Sequence, residues 1–254
     1  MAIQTRTKLM FIHLLYLGRV PYADGLAIQQ QVIAARKQGL IGDTLLLLEH
    51  PPVLTLGRNS HRENVLASDE FLAQRGIELH EINRGGDVTY HGPGQLVGYP
   101  IIDLRDDWPG KKAPGLKHLG PVDYVRMLEE VLIRVCGDFG VMAQRIAKRT
   151  GVWTIAGGSV QEKKIAAIGV HVSQGVTSHG FALNVTTDLR DFQWIVPCGI
   201  TDREVTSLEL EADASRQPTF ENALNSTARN FGRIFERQML WCESLEELLQ
   251  TKAV

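Results

Sequence analysis

The apolar positions switch repeatedly between helical and strand spacing. Leu14–Leu17, stopped by Gly18, predicts a first strand. Pro21 then opens a segment with apolar residues at Leu26, Ile28, Val32 and Ile33 and a stop at Gly39, which predicts a helix over Tyr22–Gln38. Thr44–Glu49 and Val53–Gly57 are apolar runs on either side of Pro51 and Pro52, and read as two buried strands around a proline turn. Ser68 is placed to cap a short helix ending at Gln74, Gly76 turns the chain into a strand over Ile77–Ile82, and Leu96–Leu104 reads as another strand.

Arg105–Gly120 has few apolar residues and several breakers, and reads as a long exposed loop. Helical spacing returns over Pro121–Phe139, where Val122, Val125, Leu128, Leu132 and Val135 form one stripe with Cys136 beside it as a small core residue. Gly151–Ile155, Lys164–Val172 and Phe181–Val185 read as strands, Thr206–Leu210 as the end of the strand region, and Phe220–Arg237 as an amphipathic helix. Ser244–Leu249 closes a short C-terminal helical extension over 238–254, with Cys242 at the periphery. Regular strand–helix alternation is missing, so the pattern predicts an α+β fold with a mixed, mainly antiparallel sheet flanked by helices. Neither a repeat nor a linker divides the chain, and one catalytic domain over 1–254 is expected.

Composition narrows the function. Across 254 residues, 44% are hydrophobic, enough for a substantial core, and 27 basic against 29 acidic residues leave a formal charge of −2. No bulk positive field exists to hold a nucleic-acid backbone or an anionic membrane, so neither is an expected partner. Arg6 and Lys8 ahead of Leu9–Leu17 superficially resemble a signal peptide, but His13 and Tyr16 interrupt the run and no small-residue cleavage site follows. No other apolar run approaches bilayer-spanning length. Cys136, Cys198 and Cys242 form no paired spacing, so the expectation is a reducing, cytoplasmic location without a disulfide framework or zinc site.

Three segments carry residues that packing does not require. Five of the seventeen residues from Arg84 to Pro100 are glycine. Within Arg84-Gly-Gly-Asp-Val-Thr-Tyr-His-Gly-Pro-Gly-Gln95, glycines at 85, 86, 92 and 94 let backbone N–H groups approach a ligand, and Arg84 and His91 frame them. A phosphate-binding P-loop is absent, since no Gly-Lys-Ser/Thr ending occurs there. The second segment is Lys164-Ile-Ala-Ala-Ile-Gly-Val-His171, where strict alternation puts Lys164, Ala166, Ile168 and Val170 on one face and Ile165, Ala167 and Gly169 on the other. Its small residues leave room beside the sheet for an extended acyl chain. Taken alone, a lysine beginning such a strand is usually a solvated strand end.

The third segment is His179-Gly-Phe-Ala-Leu-Asn184, followed by Pro197-Cys198-Gly199 in a turn. A thiol there could be an exposed nucleophile beside free backbone N–H groups, with Lys164 favouring its thiolate, or an inert loop cysteine. Spacing alone leaves both open.

Together the Arg84–Leu96 motif, Lys164-Ile-Ala-Ala-Ile-Gly169, His179–Asn184 and Pro197-Cys-Gly199 closely resemble the lipoyl(octanoyl) transferases, over about Leu14 to Phe235. The resemblance implies the catalytic-domain fold of biotin and lipoate protein ligases. It also implies transfer of octanoyl from acyl carrier protein to a specific lysine of a lipoyl domain, in 2-oxoacid dehydrogenase complexes or the glycine cleavage H protein. Neither cofactor nor metal is implied. By the same resemblance Cys198 is the acyl-thioester nucleophile and Lys164 the acid/base that lowers its pKa. Arg84, Gly85, Gly86, Asp87, Val88, Thr89, Tyr90, His91, Ala167, Ile168, Gly169, Gly180, Phe181 and Ala182 match substrate-binding positions, with His91 and His179 supporting the pocket. Basic residues Arg105, Lys111, Lys112, Lys117, Lys148 and Arg149 are candidate docking groups for an acidic carrier. The rival readings are an ATP-dependent lipoate or biotin ligase, a non-catalytic acyl-binding protein and a cysteine hydrolase.

Overall fold

The computed structural model describes residues 10–106, 108, 118–155, 161–196 and 204–251. The strands are β1 (Phe11–Arg19), β2 (Thr44–Glu49), β3 (Val53–Leu56), β4 (Glu78–Glu81), β5 (Val88–His91), β6 (Gln95–Ile101), β7 (Ala143–Ile146), β8 (Arg149–Thr154), β9 (Lys164–Ser173), β10 (Val176–Asn184) and β11 (Gln238–Cys242). The helices are α1 (Tyr22–Lys37), α2 (Asp69–Gln74), α3 (Pro121–Asp138), α4 (Leu208–Glu211), α5 (Phe220–Phe235) and α6 (Leu245–Gln250).

An eight-stranded sheet runs β11-β1-β2-β6-β10-β9-β8-β7. β1 is parallel to both its neighbours, and every other pair in this sheet is antiparallel. This is the expected mixed, mainly antiparallel α+β arrangement. On one face α3 and α5 cover a core containing Leu45, Leu96, Leu132, Ile165 and Phe231. On the other, α1 and α6 cover Leu46, Leu48, Val97, Tyr99 and Ala182. A second sheet, β4-β3-β5, packs its own apolar set with α2 and the short helical turn Leu189–Trp194. Among the described residues no helix is long and apolar enough to cross a membrane.

Local chemistry explains the helix ends. Ser68 Oγ accepts from Phe71 N as expected, and Ser207, Thr219 and Ser244 cap α4, α5 and α6 in the same way. α3 begins with Pro121 at its first turn and buries Leu128, Leu132, Val135 and Cys136.

Several expectations are corrected. Val122 is exposed, because the buried face of α3 begins at Tyr124. Thr44–Glu49 and Val53–Leu56 are both buried strands, but they belong to different sheets, separated at Pro51 and Pro52. Val88–His91, for which the sequence pattern predicts no element, forms β5 and pairs with β3. Leu208–Glu211 is helix rather than the end of a strand region. The ends of the expected exposed loop are core: Trp108 and Leu119 are buried, and Trp108 Nε1 donates to Asp103 O at 2.7 Å. The C-terminal stretch is not wholly helical. Gln238–Cys242 adds a parallel edge strand to β1, and Cys242 is buried in the core under α6 instead of peripheral.

Candidate active site

A cavity of about 290 Å³ opens on the α1 face of the large sheet. Its floor is built from small residues paired across β9 and β10, Gly169 with Gly180 and Ala167 with Ala182. Tyr22, Val97, Tyr99 and His91 form a fully buried end, whereas Gly86, Lys148 and Thr150 are exposed at the rim. Glycine is required where β6 meets β10. A Cβ on Gly180 would lie 2.1 Å from Gly98 O, and one on Gly98 would lie 2.2 Å from the Phe181 ring.

Lys164 lies in this cavity, and a bulge puts it there. Trp153 pairs with Lys164 and Val152 with Ala166, so Ile165 is an extra residue in β9. The strict alternation read from sequence therefore fails. Ile165 and Ala166 both pack into the α3/α5 core, and Lys164 shares the cavity with Ala167 and Gly169. Its Nζ lies 5.4 Å from the Trp153 ring centroid, and Gly151, with φ +121°, leaves space for its Cε. Lys164 is 7% exposed, so it is not a solvated strand end.

Hydrogen bonds tie Lys164 to the segment that follows Cys198. Lys164 N donates to Glu204 O at 2.8 Å, Thr206 N donates to Lys164 O at 2.9 Å, and Asn184 Nδ2 donates to Thr206 O at 2.8 Å. Pro197, Cys198 and Gly199 themselves lie outside the described residues. A niche of about 20 Å³, room for about one water, adjoins the cavity between Thr89, Gln95, Lys164 and Asn184.

The histidines are held neutral. Burial depresses the His91 imidazole to about 3, helped by the neighbouring His50, and His50 and His179 to about 4. Gln95 Nε2 donates to both Tyr90 O and Asn184 Oδ1, so its oxygen must face His91 Nδ1, 2.7 Å away. His91 therefore carries its proton on Nδ1, and Nε2 is the acceptor. By the same logic His50 Nδ1 donates to Val20 O, and its Nε2 accepts from the Tyr99 hydroxyl, both at 2.7 Å. His179 has φ +54°, held by its N–H to Gln29 Oε1 and its Nε2–H to Asn83 Oδ1.

Arg84 is buried and donates to Thr55 O at 2.7 Å, Thr55 Oγ1 at 2.9 Å and Gly85 O at 3.0 Å. Arg84, Gly86, Thr89, His91, Ala167, Ile168, Gly169, His179, Gly180, Phe181 and Ala182 all line the cavity. Gly85, Asp87, Val88 and Tyr90 do not line it; they build its wall. Gly85 N donates to Val170 O, Asp87 accepts from Asn64 Nδ2 and Val88 N, Val88 is core, and the Tyr90 hydroxyl donates to Asp191. Sequence reasoning missed Tyr22, Val97 and Tyr99, whose only signal was an aromatic at a helix start and an i, i+2 pair on the strand after the glycines.

Of the basic docking candidates, Lys148 and Arg149 line the cavity and Arg105 is paired with Asp103; Lys111, Lys112 and Lys117 lie outside the described residues. Lys148 and Arg149 sit at the β7–β8 turn, which α3 clamps: Glu129 accepts from Arg126, Arg145 and the Gly151 N–H. Among the described residues no group of three or more His, Cys, Asp or Glu is arranged to hold a metal ion.

Residues 21–232 match the family model of the lipoyl protein ligase A/B catalytic domain. The chain is 67% identical over 241 residues to an octanoyltransferase of Acidobacterium capsulatum, covering 94% of this chain and 96% of that one. It is 55% identical over 240 residues to an octanoyltransferase of Koribacter versatilis, covering 94% and 90%. In fold it is similar to a bipartite lipoate protein ligase of Thermoplasma acidophilum, with a TM-score of 0.69 at 18% identity, covering 95% and 91% of the two chains.

Proposed function

The chain belongs to the lipoyl protein ligase A/B catalytic-domain family, and we propose that it is an octanoyltransferase of protein lipoylation, a single catalytic domain working in the cytoplasm. The donor is octanoyl-acyl carrier protein. The acceptor is a specific lysine of a lipoyl domain, in 2-oxoacid dehydrogenase complexes or the glycine cleavage H protein. One observation carries this reading: a buried lysine, Lys164, stands in an apolar cavity floored by small residues and is hydrogen-bonded to the stretch that follows Cys198.

In the first half-reaction the Cys198 thiolate attacks the octanoyl carbonyl carbon. The bond from that carbon to the carrier's phosphopantetheine sulfur breaks, and the departing thiolate takes a proton from Lys164. Thioester replaces thioester, so this step is close to balanced. In the second, the acceptor amine attacks the Cys198 thioester, its proton passes to Lys164, and the Cys198 thiolate leaves as the amide forms. Amide formation makes the transfer effectively one-way. The donor arrives activated, so no ATP is consumed. Small residues on the floor admit the alkyl chain, and the neutral imidazoles add no charge of their own beside it.

The test is the intact mass of wild type and Cys198→Ser after incubation with octanoyl-acyl carrier protein without ATP. An octanoyl adduct on wild type that is sensitive to hydroxylamine, discharged by a lipoyl domain and missing from the variant, supports the reading. Transfer seen only with free octanoate and ATP replaces it with an adenylating ligase.

A further inference from the structure

The cavity floor changes size in a fixed direction across the sheet. One row of side chains runs Ala167 on β9, Ala182 on β10 and Val97 on β6, with cross-strand pairing at each step. The neighbouring pair, Gly169 and Gly180, is again small on β9 and β10, and on β6 the large Tyr99 lines the cavity two residues from Val97. The open space above β9 and β10 therefore ends against two side chains of a single strand.

That end is rigid. Tyr99 donates its hydroxyl proton to His50 Nε2, and His50 is anchored in turn on Val20 O. Tyr22 closes the roof, stacked on His91 with 6.1 Å between ring centroids. Val97 is 1% exposed and held between its strand partners Leu48 and Ala182. None of these groups can swing aside without giving up a buried hydrogen bond or a packed contact.

The other end is where the chemistry enters. Lys164 is on β9, the exposed Lys148 immediately precedes β8 and the exposed Thr150 lies at its start. Two inter-strand steps separate β9 from β6, ~10 Å at the usual spacing, which is comparable to an extended eight-carbon chain.

We infer that Val97 and Tyr99 are the specificity-determining stop of the acyl cavity. An alkyl chain whose carbonyl is held near Lys164 lies across β9 and β10, and its terminal methyl meets the Val97 side chain. This rests on the octanoyl-transfer reading above. It adds that β6, rather than the motifs that carry the reactive groups, sets the chain length accepted.

The experiment measures kcat/KM for hexanoyl, octanoyl, decanoyl and dodecanoyl thioesters of acyl carrier protein, in wild type, Val97→Ala and Val97→Phe. Val97→Ala is expected to raise the decanoyl-to-octanoyl ratio about tenfold, the scale at which a pocket discriminates one or two methylenes. Val97→Phe is expected to move the preference to hexanoyl. Thermal shifts with free fatty acids of the same lengths should follow the same order, and they report on a variant that binds but does not turn over. An unchanged length profile in the folded Val97→Ala protein, by turnover or by binding, overturns the inference. A wild type that transfers none of the acyl groups overturns the octanoyl-transfer reading instead.

Discussion

His91 Nδ1 sits 2.7 Å from Gln95 Oε1, and that contact decides which imidazole nitrogen is left as the acceptor. Because Gln95 also donates to Tyr90 O and Asn184 Oδ1, one carboxamide fixes the His91 tautomer and steadies the residue that holds Thr206 beside Lys164. Gln95→Leu leaves two buried acceptors and one buried donor unmatched. It is expected to destabilise the fold by ~1–3 kcal/mol and to lower kcat more than it raises KM, read from urea unfolding and steady-state kinetics.

Lys164→Met keeps the length of the side chain and removes its amino group. A proton acceptor for the incoming amine is then missing, and kcat is expected to fall by about 10²–10⁴-fold. Single-turnover transfer from a pre-formed octanoyl-enzyme to a lipoyl domain isolates the step. Transfer at the wild-type rate would remove Lys164 from the mechanism.

Two glycines separate steric need from helix propensity. A Cβ at Gly180 would stand 2.1 Å from a backbone oxygen of the adjacent strand, so Gly180→Ala is expected to cost ~1–3 kcal/mol or more. Nothing lies within 4 Å of a Cβ at Gly137 in α3, and Gly137→Ala is expected to gain about 0.5–1 kcal/mol. Melting temperatures of the two variants should move in opposite directions.

The buried imidazoles make stability fall on acidification. In the folded state His91 titrates near 3 and His50 and His179 near 4, against an ordinary 6.5. Below 6.5 the unfolded chain therefore takes up protons that the folded chain refuses, and stability drops as pH falls toward 4. Asp43 acts in the opposite sense: burial raises it to about 6 from 3.8, so the folded state takes up its proton first. Three groups outweigh one, and the urea midpoint should be lower at about pH 5 than at about pH 7. His50→Gln is expected to flatten that dependence.

Glu129 is fully buried and accepts from Arg126, Arg145 and Gly151 N. Glu129→Ala takes the carboxylate away from Arg126 and from the buried Gly151 N–H, while Arg145 keeps Glu130 and Arg126 O, with an expected loss of ~1–3 kcal/mol. It also frees the β7–β8 turn that carries Lys148 and Arg149. Hydrogen exchange over Ala143–Thr154 should rise ahead of the rest of the sheet.

Much of this protein was decided locally and could be read locally. Pro21, Ser68 and Pro121 mark helix starts because the groups that satisfy a first turn lie within a few residues of it. The site motifs stood out for a related reason: a guanidinium, an imidazole and a cluster of glycines have no packing use in so short a stretch. What stayed hidden depends on which strand lies beside which. The bulge at Ile165 comes from pairing with Trp153 and Val152, and it alone moves Lys164 to the cavity side of β9. β5 forms inside a glycine cluster because β3 offers it a partner, and β11 forms because the edge of β1 is free to receive it. The cavity is likewise a product of register, which brings Gly169 to Gly180 and Ala167 to Ala182 and ends the second row at Val97 on β6. Spacing along one segment reports the faces of that segment. Where two segments meet is fixed by hydrogen bonds and packing between residues far apart in the chain, and only the tertiary structure supplies that.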